Sequence, residues 1–197
     1  MAEGGLVCDA DAEQRELCAQ SIAHATLKQR RARTPVIKND GTRLAAGGVL
    51  ADYVPFYFTP YSIMMFNIRT GHGNITRVRN EEIMIFVSSL HRIKRLGIPF
   101  VFTNQHAYPV TTEYFSDLED FDRIDWALLQ SKDFKGDPDD PGKKERYQAE
   151  ALVYKHLPLD GLDGVICCST SVEEKIKLQI CERGSTLKTG VQPQWFF

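Results

Sequence analysis

Gln148-Ala149-Glu150 sets an amide two residues before a carboxylate, at the mouth of the apolar run Ala151-Leu152-Val153-Tyr154. On a strand, residues i and i+2 face the same way, so the spacing predicts Gln148, Glu150 and Leu152 on one face. Tyr147, Ala149 and Ala151 then fall on the other. Burying a Glu is costly unless a partner or a task holds it. A carboxylate so placed can take a proton or stabilise developing positive charge. The same residues also read as an exposed Glu at the start of an edge strand.

Other residues could share that chemistry. Lys28, Arg30, Arg31, Arg33, Lys38 and Arg43 form a basic block interrupted only by Asp40. A guanidinium there could grip a diphosphate, or the block could be a solvated helix end. Tyr57 lies in the aromatic word Tyr53-Val54-Pro55-Phe56-Tyr57-Phe58, Met64 follows it, and His106 ends Phe102-Thr103-Asn104-Gln105. In bland terms these are a core aromatic, a core filler and a surface His. Cys8, Cys18, Cys167, Cys168 and Cys181 are odd in number and lack the C-x-x-C spacing, which points to a reducing compartment and away from disulfides or a zinc site. No apolar run approaches the ~18 residues of a membrane span, no secretory signal is visible, and the chain reads as cytoplasmic.

The elements that must position these groups follow from periodicity and punctuation. Asp11 to about Arg33 is predicted as one helix ended by Thr34-Pro35, and Val36 to Gly48 as a loop with a turn at Asn39-Asp40-Gly41. Val49 to Phe58 is strand-like, with Pro55 marking an edge or a bulge. Asn80 is read as the N-cap of a helix to Leu96, with Ile83, Phe86, Leu90 and Ile93 as its apolar stripe. Pro99 to Asn104, Glu150 to His156 and Val165 to Cys168 read as strands. A last helix is expected with Ser171 and Glu174 as a capping box and Gly184 as its stop. Residues 106–145 show only a short helical piece around Leu118 to Leu129, with Asp137 to Gly142 as turn, and a region this irregular is usually functional or disordered. The chain of 197 residues, with 43% hydrophobic and 25% charged residues and a net charge of −2, is therefore expected to be one α+β domain. It has no Gly-rich phosphate loop, so a dinucleotide would not be held in the Rossmann manner.

Taken in order, Lys28-Gln29-Arg30-Arg31-Ala32-Arg33, Asp52 to Pro60, Phe100 to His106, Arg146-Tyr147-Gln148-Ala149-Glu150 and Trp195-Phe196-Phe197 closely resemble the DarT family of DNA ADP-ribosyltransferases, from about Gly4 to Phe197. The resemblance implies an ADP-ribosyltransferase-like domain with a central mixed or antiparallel sheet and flanking helices. It implies NAD as substrate and single-stranded DNA as acceptor, with thymine the expected base. It also implies a toxin role and a DarG-like macrodomain antitoxin as partner, with neither membrane nor metal involved.

Residue by residue, Glu150 maps onto the family's catalytic Glu. Such a carboxylate would stabilise the oxocarbenium character of the ribose and take a proton from the attacking base. Arg31 maps onto the family's catalytic arginine, in an NAD-binding element of about residues 15–33. Val7 and Tyr57 would contact NAD, and Met64 and His106 the DNA. Residues 106–150 match the ADP-ribosylating turn-turn loop, where Tyr108, Tyr114 and Phe115 could stack on bases.

Two departures stand out. The family's first strand, which bears a His, and the helix after it precede the equivalent of Gly4-Gly5-Leu6-Val7, and this chain opens at Met1-Ala2-Glu3. Tyr61 stands where relatives carry a basic residue. The alternative expectation is therefore a truncated, inactive remnant that binds nucleic acid or an antitoxin. A third is the same chemistry on RNA or protein.

Overall fold

Phe100-Val101-Phe102-Thr103 is buried at every residue, and so are the first four residues of Glu150-Ala151-Leu152-Val153-Tyr154. Such continuous apolar runs suit strands covered on both faces, and in the computed structural model these two are hydrogen-bonded neighbours. The structure describes residues 4–17, 25–37, 41, 44 and 46–196. Cys18, Lys38, Asn39, Asp40, Arg43 and Phe197, and residues 18–24 of the expected first helix, lie outside the described residues.

In chain order the elements are β1 (Gly5–Val7), α1 (Asp9–Gln14), α2 (Ala25–Arg31), β2 (Tyr53–Tyr57), α3 (Ile63–Thr70), β3 (Ile85–Val87), α4 (Leu90–Arg95) and β4 (Phe100–Thr103). There follow β5 (Tyr114–Phe115), α5 (Trp126–Ser131), α6 (Lys143–Arg146), β6 (Glu150–Tyr154), β7 (His156–Pro158), β8 (Gly164–Cys167), α7 (Thr170–Glu182) and β9 (Thr189–Val191). Among the described residues the strands form three sheets, ordered β1-β7, β2-β6-β4-β5 and β3-β8-β9. All pairings are antiparallel except β8 with β9. The expected α+β class, with mixed sheets and flanking helices, is the one found.

β6 lies inside its sheet and alternates between two cores. Ala151 and Val153 pack with Val54, Phe100 and Phe102, whereas Leu152 packs with Tyr53, Val101 and Tyr114 on the opposite face. Period two then puts Glu150 on the Leu152 side. Pro55 sits on β2, the edge strand, where its missing N–H leaves no gap in the ladder. A cleft of about 580 Å³ separates β2 from β3 and α3, walled by Phe56, Phe58, Met65, Ile68 and Phe86 among others.

Several expected elements are corrected. The helix over Asp11–Arg33 is broken: α1 closes at Arg15, and Glu16 has a left-handed φ of 52° before α2 begins. The helix over Asn80–Leu96 is a 3-10 turn (Asn80–Glu82), then β3, then α4. The run Met84-Ile85-Phe86-Val87 has the β-branched and aromatic character of a strand, and Ser89 caps α4 by accepting the Arg92 amide at 3.3 Å. Val49 to Phe58 starts as a 3-10 turn at Leu50–Asp52 and becomes strand only at Tyr53. α7 begins at Thr170 with Ser169 as its N-cap, two residues ahead of the expected cap Ser171. Gln148 is not on a strand: it follows α6 in a turn, and its side-chain Nε2 donates to the Lys144 carbonyl at 3.0 Å.

Candidate active site

β6 begins at Glu150, with Tyr57 opposite it in register on β2. Glu150 is 4% exposed, and so the cost of burying its charge must be met by partners. Arg31, 6% exposed at the end of α2, supplies the main one: its Nη1 donates to Glu150 Oε2 at 3.3 Å. The other carboxylate oxygen accepts the Ala107 amide at 3.2 Å and stands 3.4 Å from His106 Nδ1.

Arg31 is itself held on three sides. Its Nε donates to Asp9 Oδ2 at 3.3 Å, and its Nη2 donates to the carbonyls of Leu50 at 3.1 Å and Tyr53 at 3.5 Å. These contacts fix both the position and the plane of the guanidinium. Asp9 opens α1, which is anchored by Lys155: its Nζ pairs with Asp11 at 3.7 Å and Asp52 at 2.7 Å, and its carbonyl accepts the Cys8 amide at 2.8 Å. The end of β4 is pinned to the start of β6 by Thr103, which is fully buried. Its Oγ1 accepts the Glu150 amide at 3.0 Å and donates to the Gln105 carbonyl at 2.6 Å.

The surroundings set the ionisation of the neutral groups. Burial pushes the Tyr57 phenol well above its ordinary range, and the Glu150 charge adds to this while Arg31 opposes it. Tyr114 is raised for the same reasons, and its hydroxyl donates to the Ala107 carbonyl. Burial holds the His106 imidazole below its ordinary value, with Arg31 assisting and Glu150 and Glu145 opposing. The result is a buried ion pair between two phenols and an imidazole kept neutral at neutral pH.

The residues singled out in the sequence divide into two groups. Arg31, Glu150, Tyr57 and His106 converge although they come from α2, β6, β2 and the loop after β4. Met64, 45% exposed at the start of α3, lies in the wall of the apolar cleft, which Tyr57 also lines. Val7 sits on β1 opposite His156, two residues before Asp9. Tyr61 is covered by Lys132, whose Nζ is 3.6 Å from the ring centroid. Sequence reasoning missed Asp9, Thr103 and the Ala107 amide. Asp9 lies ahead of the helix expected from Asp11, and a backbone amide leaves no sequence signal.

A family model described as ssDNA thymidine ADP-ribosyltransferase, DarT, matches residues 1–197. A DNA ADP-ribosyl transferase of Escherichia coli O127:H6 (strain E2348/69 / EPEC) is 48% identical over 154 residues, which is 78% of this chain and 71% of that protein. Among solved structures, Thermus sp. 2.9 DarT in complex with ADP-ribosylated ssDNA superposes with a TM-score of 0.85 at 30% identity, covering 100% of this chain and 88% of that one. The Thermus sp. 2.9 DarT structure in complex with NAD+ gives 0.80 at 29% identity, with 100% and 89% covered. With a buried Arg–Glu pair at the head of a central strand and a match along its whole length, this chain belongs to the DarT family of ADP-ribosyltransferases.

Proposed function

We propose that the protein transfers ADP-ribose from NAD to a thymine base of single-stranded DNA. Arg31 and Glu150 are the groups that do it. The observation that carries this reading is the buried Arg31–Glu150 pair, with Tyr57 in register beside it and His106 against the second carboxylate oxygen. In the transfer, the bond between nicotinamide and the ribose breaks and a bond from the base nitrogen to the same ribose carbon forms. The displaced electron pair leaves with nicotinamide, and the proton of the attacking nitrogen passes to Glu150.

Glu150 also accepts a hydrogen bond from the ribose and stabilises the positive charge that builds there. Arg31 exchanges the carboxylate for the NAD diphosphate, which frees Glu150 for the ribose. Tyr57 and Val7 border the NAD site, about residues 15–33 form the NAD-binding element, and residues 106–150 are the loop that presents the base. Met64 and His106 lie on the DNA side. The resemblance further supports a toxin role in the cytoplasm, countered by a macrodomain antitoxin that removes the mark.

A second reading is favoured by one observation. Glu150 is 4% exposed and already engaged by Arg31; were that pair to stay closed, the domain would bind nucleic acid or an antitoxin without turning over NAD.

The test is labelled NAD with short single strands that contain or lack thymine, for the native chain and Glu150→Ala. The expected result is label on the thymine strands only, falling at least ~100-fold in the variant. Strand binding without transfer by the folded native chain would establish the second reading. Label on RNA or protein alone would overturn DNA as acceptor.

A further inference from the structure

α2 places two consecutive arginines in opposite surroundings. Successive residues turn about 100° around a helix, so Arg31 is buried on Glu150 while Arg30 is exposed. The Arg30 Cζ lies 5.1 Å from the centroid of the Tyr108 ring, and among the described residues Arg30 has no carboxylate partner. Tyr108 in turn stands edge to face with His106, with ring centroids 4.6 Å apart and planes at 79°. His106 reaches Glu150 at 3.4 Å. A continuous series of side chains thus runs outward from the buried carboxylate to solvent: Glu150, His106, Tyr108, Arg30.

Tyr108 differs from the other aromatic side chains of its loop. Tyr114 is buried and bonded to Ala107, Phe115 is stacked on Phe102 at 5.3 Å, and Phe121 is packed among Phe58, Phe102 and Trp126. Tyr108 is 36% exposed and is followed by Pro109 and by Val110, which is 100% exposed. The segment Tyr108-Pro109-Val110-Thr111-Thr112 carries no charge, and the acidic residues of the region start only at Glu113. An uncharged ledge with one aromatic ring and a guanidinium held, among the described residues, only by that ring's face has the chemistry of a nucleotide site, which needs a stacking surface for the base and a cation for the phosphate.

We infer that Tyr108 and Arg30 form a binding step for the nucleotide next to the modified base, its base stacked on the Tyr108 ring and its phosphate held by Arg30. The inference rests on single-stranded DNA being the acceptor. In the free protein Arg30 occupies the ring face. Base stacking on an aromatic ring outweighs an exposed cation–π contact, so an incoming base displaces the guanidinium, which then turns to the phosphate. Arg31 and Glu150 are engaged with NAD deeper in the site, which leaves this solvent-facing flank to the longer polyanion.

The experiment is a double-mutant cycle between side chain and base. Binding of dye-labelled thymidine oligonucleotides is followed by fluorescence anisotropy, with an abasic residue placed at each neighbour of a central thymine in turn. Tyr108→Ala is expected to weaken binding of the intact strand about 10-fold, and Tyr108→Trp to restore it. An abasic neighbour on one side should weaken the native chain by a similar factor, with no further loss when combined with Tyr108→Ala. Losses that multiply at both neighbours would overturn the inference. So would a rise in the KM for NAD with unchanged strand binding, which would place the adenine of NAD on the ring. Tyr108-dependent binding by a chain that transfers nothing would overturn the proposed function, and with it the modified base, leaving Tyr108 and Arg30 as a strand-binding site only. Transfer to DNA with native affinity in Tyr108→Ala would do the reverse.

Discussion

His106 Nδ1 is 3.4 Å from Glu150 Oε1 and also 3.4 Å from the Tyr108 amide nitrogen. The neutral ring can accept from that amide, whereas the protonated ring would donate to Glu150, so one contact excludes the other. Burial keeps the folded-state imidazole below its ordinary value of 6.5. Between the folded value and 6.5 the unfolded chain binds the proton and the folded one does not, and stability therefore rises with pH across that window. The contribution is complete above 6.5 and is lost as pH falls through the folded value. Urea unfolding of native protein and His106→Asn at about pH 7.5 and about pH 5.5 should show the native chain losing more stability on acidification. Equal losses would mean that other groups set the acid sensitivity. At this scale much of the site was legible. Glu150, Arg31, Tyr57 and His106 stand out by residue type and family word, and the structure brings them together. Asp9 and Ala107 were not legible, because a short helix and a loop amide reach the site only through tertiary folding.

Thr103 shows how elements convert those residue types into geometry. Its hydroxyl joins the end of β4 to the first residue of β6 and bridges to the Gln105 carbonyl. Thr103→Val keeps the shape and leaves the Glu150 amide and the Gln105 carbonyl without this partner, at a cost of about 1–3 kcal/mol. The expected outcome is a lower urea midpoint together with reduced transfer, both largely recovered in Thr103→Ser. Full stability in the valine variant would show that water replaces the hydroxyl. β4, β6 and β8 were legible as short apolar runs, and α7 by the Ser before it and the Gly that stops it. The segment 80–96 was not, because Ile83, Phe86, Leu90 and Ile93 fit a helical stripe while β3 gains its ladder from β8, a partner distant in sequence. Gln148 failed for a related reason: periodicity extended the strand two residues too early, across the turn that closes α6.

At the scale of the whole molecule, the class of fold followed from composition and the mixture of periods, but the sheet order did not. The three sheets among the described residues, with β7 paired to β1 and β9 parallel to β8, depend on contacts that no local pattern encodes. The charge distribution carries over more directly. The acidic residues from Glu113 to Asp125 lie just before β5 and in the turns after it, several tied to Arg or Lys partners such as Arg123, Lys94 and Arg146. Among the described residues no helix is long and apolar enough to cross a membrane. The position of β6, bonded to β2 on one side and β4 on the other, has a further consequence. Amide protons in such a strand exchange with solvent only when the whole cooperative unit opens. The amides of Leu152 and Val153 should therefore be among the last to take up deuterium. Heating should abolish transfer and the native circular dichroism signal at one temperature, because the carboxylate is carried by the last segment to come apart.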